Sequence, residues 1–315
     1  MRGMIGERTI DGLAALTLAS PDAELEAAFV PGAGMVGCSL RHRGEELLGQ
    51  RGGLARYVAE RSTMGIPLLH PWANRLGERR FEVLGREVNL DLAEPPPSAD
   101  PNGLPIHGLL SAARGWQVTR SAASDDGGTI AARFDFAAHE GLLRAFPFPH
   151  EIGLEATLTG STLRISTSVA ATGDAAVPVA FGFHPYFQLP GEDRAEWEVE
   201  LPVTERLLLD GRMLPTGERA PTSVASAPLG SRTFDDAYTS PPAGERFVVA
   251  GGGRRIEVDF ESGYPIAQIY APADDGVIAI EPMTAPTNAL VTGDGLAIAE
   301  PDSPYSAAFS VRVDA

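Results

Sequence analysis

The chain has 315 residues, 43% of them hydrophobic and 21% charged, with a formal net charge of −17 and a sequence pI near 4.7. So acidic a surface repels phosphate backbones and anionic headgroups, which argues against nucleic-acid and membrane partners and is neutral toward an uncharged ligand. The single cysteine, Cys38, excludes a disulfide within the chain, and no apolar run approaches the length of a signal peptide or a membrane span, so a soluble, cytoplasmic protein is expected.

The 35 glycines and 26 prolines are spread along the chain, so they read as turns and leave little room for long helices. The best helical segment is Leu54–Met64, and it is short. In Gly65–Phe81, GIPLLHPWANRLGERRF, Asn74 and Arg75 set an amide beside a guanidinium, donors suited to hydroxyl groups. Arg79 and Arg80 read as surface charges. Glu94–Gly108 carries Pro95, Pro96, Pro97, Pro101 and Pro105 and looks like a long structured loop, a kind that is often functional. His107 stands at its exit, before Gly108, which permits close backbone approach. A solvated loop histidine fits the same position.

Ile130, Phe134 and Phe136 mark a strand. In His150–Leu158 apolar residues alternate with Glu151, Gly153, Glu155 and Thr157, and the pattern resumes at Leu163 and Ile165 after Thr159–Gly160–Ser161. Period-two alternation around a short glycine-containing loop predicts a β-hairpin. In Val177–Pro190, VPVAFGFHPYFQLP, His184 shares a strand face with Ala180 and Gly182. Those small neighbours are expected to leave open volume beside the imidazole, and Pro185 to end the strand. A histidine bonded only to backbone at a strand end is the plain alternative.

In Thr233–Thr239, TFDDAYT, the adjacent Asp235 and Asp236 point to opposite faces, so one of them serves a site or both sit on a solvated edge. Ile256, Val258 and Phe260 mark another strand. In Val277–Leu290, VIAIEPMTAPTNAL, Glu281 ends an apolar strand on the face of Val277 and Ala279. A carboxylate there is costly to bury unless it is paired or used; otherwise it emerges into solvent. Phe309, Val311 and Val313 form the last strand. Neither a repeat nor a linker divides the chain, so one domain over residues 1–315 is expected, and many short strands between turns indicate a sandwich or barrel.

Taken in order, GIPLLHPWANR, IHG, FGFHPYF, FDDAY and EPMTAPTNA resemble the aldose 1-epimerase (galactose mutarotase) family. HPYF followed by a distant EP-x-T-x-x-x-NA is the most telling pair. The resemblance implies an all-β fold: a large antiparallel β-sandwich, or supersandwich, of the galactose mutarotase kind with few short helices. It implies an isomerase that interconverts the α and β anomers of a free aldohexose, with a sugar as its small-molecule partner, no cofactor and no required metal, as a monomer or homodimer. His184 would be the general acid and Glu281 the general base. His107 would hold the sugar near its ring oxygen, and Asn74, Arg75 and Asp235, the leading aspartate of its pair, would bind hydroxyls.

Opening a cyclic hemiacetal removes the C1 hydroxyl proton and adds one to the ring oxygen, so one group starts ionised and the other protonated. Glutamate, near ~4.3, suits the base, and a histidine near ~6.5 is expected to be raised toward imidazolium by the carboxylate beside it. That order puts Glu281 on the acid limb and His184 on the basic limb of a bell-shaped pH profile. The two groups are expected to straddle a pyranose ring across one open pocket. Four competing readings remain at this point. The chain could be a non-catalytic sugar-binding domain, or a glycoside hydrolase using Asp235 and Glu281. It could be a metal enzyme built on two histidines and carboxylates, although no HExxH-like spacing is present. Or it could be a hexose-6-phosphate mutarotase using Arg75, Arg79 and Arg80.

Overall fold

The computed structural model describes residues 3–315. Asp11 and Gly12, both at positive φ (+49° and +80°), make the two-residue turn that joins Met4–Ile10 to Leu13–Ser20, with Ile10 paired to Leu13. Such turns match the twist of the flanking strands. This hairpin begins a five-stranded meander that continues through Leu25–Val30, Val36–His42 and Glu45–Glu46. The helix Gly53–Glu60 follows and buries Leu54 and Tyr57 one turn apart. It is shorter than the predicted Leu54–Met64 because Arg61 turns left-handed (φ +56°) and returns its N–H to the Tyr57 carbonyl at 2.9 Å. Among the described residues the other helices are the short Glu140–Ala145 and Ala289–Thr292, and no helix is long and apolar enough to cross a membrane.

Two large antiparallel sheets carry most of the rest, beside three two-stranded pairs. The first runs, in spatial order, through Gln117–Ala123, Gly127–Asp135, His150–Thr159, Thr162–Ala171, Tyr305–Asp314, Arg254–Ser262, Phe247–Gly251, Glu198–Glu200 and Ala227–Pro228. The predicted hairpin is at its centre: His150–Thr159 pairs with Thr162–Ala171 around Gly160–Ser161, with Gly160 at φ +53°. Burial alternates strictly along its first strand, as the sequence pattern requires. Phe136 falls just past the strand, in a 3-10 turn whose amides are capped by the Asp135 side chain.

The second sheet runs through Pro215–Pro221, Glu205–Leu209, Phe234–Thr239, Ile266–Ala271, Ile278–Met283, Gly182–Phe183 and Leu68–Leu69. The two sheets pack face to face as a sandwich: the rings of Phe183 and Phe309 lie 5.2 Å apart. One contiguous cluster of buried side chains reaches from Leu18 and Phe29 in the meander through Leu154 and Phe309 to Ile269 and Ile280.

A buried histidine pair ties the sheets to the loops. His150 Nδ1 lies 2.6 Å from the Phe148 carbonyl and donates to it, so His150 Nε2 accepts from His70 Nε2 at 2.7 Å. His70 Nδ1 is left buried without a partner. Burial, reinforced by the neighbouring His150, holds His70 well below the usual histidine range. Burial lowers His150 to about 4, against small opposing effects of the Phe148 carbonyl and Asp135. Both rings are therefore neutral when folded, whereas the unfolded chain protonates them below ~6.5. The unfolded state then binds more protons, so stability falls as pH drops from about 6.5 to 4, by up to ~1.4 kcal/mol per pH unit for each ring. Thermal melts across that range are expected to fall more steeply for the native chain than for His150→Phe; parallel slopes would refute the assignment.

Candidate active site

The strand Ile278–Met283 is flanked by two short pieces of chain. Gly182 pairs with Met283 and Tyr186 pairs with Ala279. The same antiparallel register places residue 184 opposite residue 281. On the other side Gln268 pairs with Glu281. The next row on this face is Tyr186, Ala279, Tyr270 and Asp235, since Tyr270 pairs with both Ala279 and Asp235. Directly opposite residues in an antiparallel ladder project to one face, so two adjacent rows build the site.

His184 Nε2 lies 3.1 Å from Glu281 Oε1, and both side chains are nearly fully buried. Around them a cavity of about 180 Å³ is lined also by Asn74, Arg75, His107 and Asp235. All six residues singled out in the sequence thus meet at one cavity. A larger cavity of about 520 Å³ lies between the helices Gly53–Glu60 and Glu140–Ala145, lined among others by Val58, Leu142, Glu94, His139 and Glu140.

Two details differ from expectation. The acid and base touch instead of straddling a ring. The small neighbours Ala180 and Gly182 do not make the open space: a Cβ on Gly182 would lie 2.6 Å from the Pro282 carbonyl and 2.9 Å from Ala73 Cβ, so the glycine serves close backbone packing. In the second row the small residue between the two tyrosines is Ala279. Pro185 ends the strand as expected: Gly182–Phe183 stops before it, and the chain rejoins Ile278–Met283 through the separate piece Tyr186–Phe187.

The electrostatics also reverse the expected order. Burial holds His184 well below the usual histidine range, helped by His107 and Arg51. Burial holds Glu281 well above the usual carboxyl range, helped by Asp235 and opposed by Arg75. A buried pair favours its uncharged forms because desolvation penalises each ion. Both shifts favour the uncharged pair, with the shared proton on Glu281. Moving it to His184 leaves the net charge unchanged.

The recognition residues come from the loops. Asn74 (φ +56°) and His107 (φ +63°) are both left-handed, and the His107 N–H donates to the Asn74 carbonyl at 2.9 Å. Arg75 Nε donates to Asp100 Oδ2 at 2.8 Å, and Arg75 NH1 to Asn74 Oδ1 at 3.0 Å. Burial works against an ionised Asp100, yet amide bonds from Leu104 and Asn102 and the Arg75 contact outweigh it and lower its pKa. Asp235 faces the cavity and accepts from Gln268 Nε2 at 2.7 Å, while Asp236 on the opposite face pairs with Arg206 at 2.5 Å. Burial raises Asp235, against Arg75 and Gln268. Arg79 and Arg80 both pair with the exposed Asp91, as surface charges do.

Arg51, Thr63, Tyr186 and Tyr270 also line the cavity and were not singled out in the sequence. Tyr186 had a usable signal, because it stands two residues past His184 on the same face. Arg51 and Thr63 flank a helix and had none. Among the described residues no group of three or more His, Cys, Asp or Glu side chains is placed to hold a metal ion.

Fold and cavity together define a protein of the large antiparallel supersandwich class. The sequence model of that class described as aldose 1-epimerase matches residues 17–312, and the chain belongs to the aldose 1-epimerase family. Membership makes it an isomerase, a mutarotase by class. The uncharacterised protein YihR of Escherichia coli (strain K12) is 23% identical over 260 residues, covering 78% of this chain and 80% of that protein. A galactose mutarotase-like protein of Clostridium acetobutylicum superimposes with a TM-score of 0.86 at 19% identity over 99% of both chains. A galactose 1-epimerase of Lactobacillus acidophilus does so with 0.79 at 14% identity, over 99% of this chain and 98% of that one.

Proposed function

We propose that the chain interconverts the α and β anomers of a free aldohexose by acid–base ring opening and reclosure, with His184 and Glu281 as the proton-transfer pair. The observation that carries this reading is the 3.1 Å contact of His184 Nε2 with Glu281 Oε1 inside one lined cavity. The C1 hydroxyl oxygen and the ring oxygen share a single carbon, so acid and base serve them best from adjacent positions. With the pair's one proton on His184, Glu281 takes the C1 hydroxyl proton while His184 protonates the ring oxygen. The aldehyde then turns about C1–C2, and both transfers reverse on the other face. Two positioned groups of this kind supply ~10²–10⁴-fold each. His107, Asn74, Arg75 and Asp235 hold the hydroxyls.

The arginines support an uncharged sugar. Arg79 and Arg80 are engaged with Asp91, Arg75 with Asp100, and Arg51 with Asp275, so the nearby cations already have anionic partners. Exchange NMR on a panel of free aldoses and their 6-phosphates is the direct test. The expected result is faster exchange for at least one free aldohexose. Binding without acceleration would leave a sugar-binding domain, and acceleration confined to the phosphates would shift the substrate class.

The working form holds one proton on the pair, so kcat/KM is expected to be flat across neutral pH. Because His184 is lowered, its second protonation forms the acid limb, below ~6.5; because Glu281 is raised, its deprotonation forms the basic limb. Imidazole ionisation depends strongly on temperature and carboxyl ionisation hardly at all. The acid limb is therefore expected to move on warming while the basic limb stays; the reverse would restore the order read from sequence.

A further inference from the structure

We propose that Tyr186 is a positioning residue for the acid step: its ring, stacked on the imidazole, and its hydroxyl, anchored by Arg51 and Thr63, hold His184 in place while Glu281 turns to the substrate. The inference rests on the acid–base reading of His184 and Glu281 and adds a third group to it.

The argument begins with valence. A histidine Nε2 makes one good hydrogen bond, as donor or acceptor. His184 Nε2 faces two oxygens at nearly equal range, Glu281 Oε1 at 3.1 Å and the Tyr186 hydroxyl at 3.2 Å. One is the resting partner and the other stands in reserve. Glu281 must release the imidazole, at least in part, to meet a C1 hydroxyl, and its Oε2 is already buried without a partner. An imidazole freed on one side would otherwise lose its orientation. The Tyr186 ring stacks on it at 4.1 Å with 17° between planes, fixing the plane, and the hydroxyl fixes Nε2.

The phenol itself is held from two sides. Arg51 NH1 donates to it at 2.8 Å, and Thr63 Oγ1 lies 2.7 Å away. Arg51 is fixed in turn by Asp275, to which Nε donates at 3.1 Å, and its guanidinium lies 4.9 Å from the centre of the Tyr186 ring. An arginine can only donate, so one lone pair of the phenol is always taken. The threonine hydroxyl either donates or accepts. While the Nε2 proton points to the sugar's ring oxygen, the phenol proton points to Thr63 and the stacked ring holds the imidazole plane. Once that proton has passed to the ring oxygen, Thr63 donates to the phenol and the phenol proton turns to Nε2. No heavy atom moves. The ring oxygen gains the proton His184 loses, Glu281 gains the C1 proton, and both return on reclosure. Burial raises the Tyr186 phenol well above its usual range, so it stays protonated throughout.

The test uses Tyr186→Phe and Thr63→Val, which keep the aromatic stack and the side-chain shape, on a sugar the native chain turns over. Tyr186→Phe is expected to lower kcat on the order of 10²-fold with KM within about twofold. Thr63→Val, which leaves the aromatic packing untouched, is expected to lower kcat about tenfold, the worth of one hydrogen bond. The groups facing His184 are Glu281, Tyr186, His107 and Tyr270, with Arg51 behind the phenol. Arg51→Gln removes a cation that disfavours imidazolium, so the acid limb is expected to move to higher pH. Unchanged kcat in both Tyr186→Phe and Thr63→Val, or a loss carried wholly by KM, overturns the inference. Native and His184→Asn rates on the same sugar judge the acid–base reading separately: if His184→Asn is slow while Tyr186→Phe matches the native chain, only the positioning role fails.

Discussion

Replacing His184 by asparagine or Glu281 by glutamine is expected to lower mutarotation on the order of 10³-fold in each case, about 4 kcal/mol of barrier, while the fold persists. The pair acts through one shared proton across 3.1 Å, so neither member works without the other. The double variant is therefore expected to be no slower than the slower single variant, which additive, independent roles would not allow. Glu281→Gln should also melt no lower than the native chain. Burial already keeps this carboxyl well above its ordinary range, so an uncharged amide of the same shape relieves strain that the site retains for chemistry. Polarimetry on a freshly dissolved sugar reads the rate and calorimetry the stability. Native rates in both single variants would end the assignment.

The second large effect falls on Gly108. It sits at φ +75°, and a Cβ there would lie 2.2 Å from the His70 carbonyl oxygen and 2.5 Å from its carbon. Neither atom can withdraw, because that carbonyl accepts from the Leu109 amide at 2.7 Å and the Leu110 amide at 3.2 Å. Gly108→Ala is expected to destabilise the chain by at least ~3 kcal/mol, lowering Tm by roughly 5–10 °C. It should weaken substrate binding too, since His107 is the preceding residue. Gly103, at φ +79° with nothing within 4 Å of an added Cβ, provides the contrast: alanine there meets only backbone strain, ~1 kcal/mol. Equal melting of the two variants would show that the clash is relieved by some loop movement and that the argument from close approach is wrong.

What the sequence revealed follows the range of its signals. The hairpin His150–Thr159 with Thr162–Ala171 was legible because ten-residue strands give several periods of alternation. The pieces beside the Ile278–Met283 strand that bracket His184 are two residues long, Gly182–Phe183 and Tyr186–Phe187, and two residues hold no period. The ordered motifs located His184, Glu281, His107, Asn74, Arg75 and Asp235, and the alternation rule separated Asp235 from Asp236. Arg51 and Thr63 escaped because only the path of the folded chain brings them under Tyr186. The protonation order was misjudged for a related reason. A carboxylate beside an imidazole raises its pKa in water, but both groups here are buried, and burial is a property of everything packed around them. The helix end was missed because Arg61 adopts a left-handed turn without a glycine to signal it.

The register that sets residue 184 across from residue 281 separates what this scaffold can change from what it cannot. A one-residue slip of either strand would swing the carboxyl into the apolar interior and dismantle the fold along with the chemistry. Asn74 and His107, in contrast, hang on connecting segments whose length and composition the ladder does not dictate. Divergence in sugar preference should therefore accumulate in the 94–107 segment, short of Gly108, and around Asn74, and a designer seeking a new substrate would graft there and leave the ladder alone.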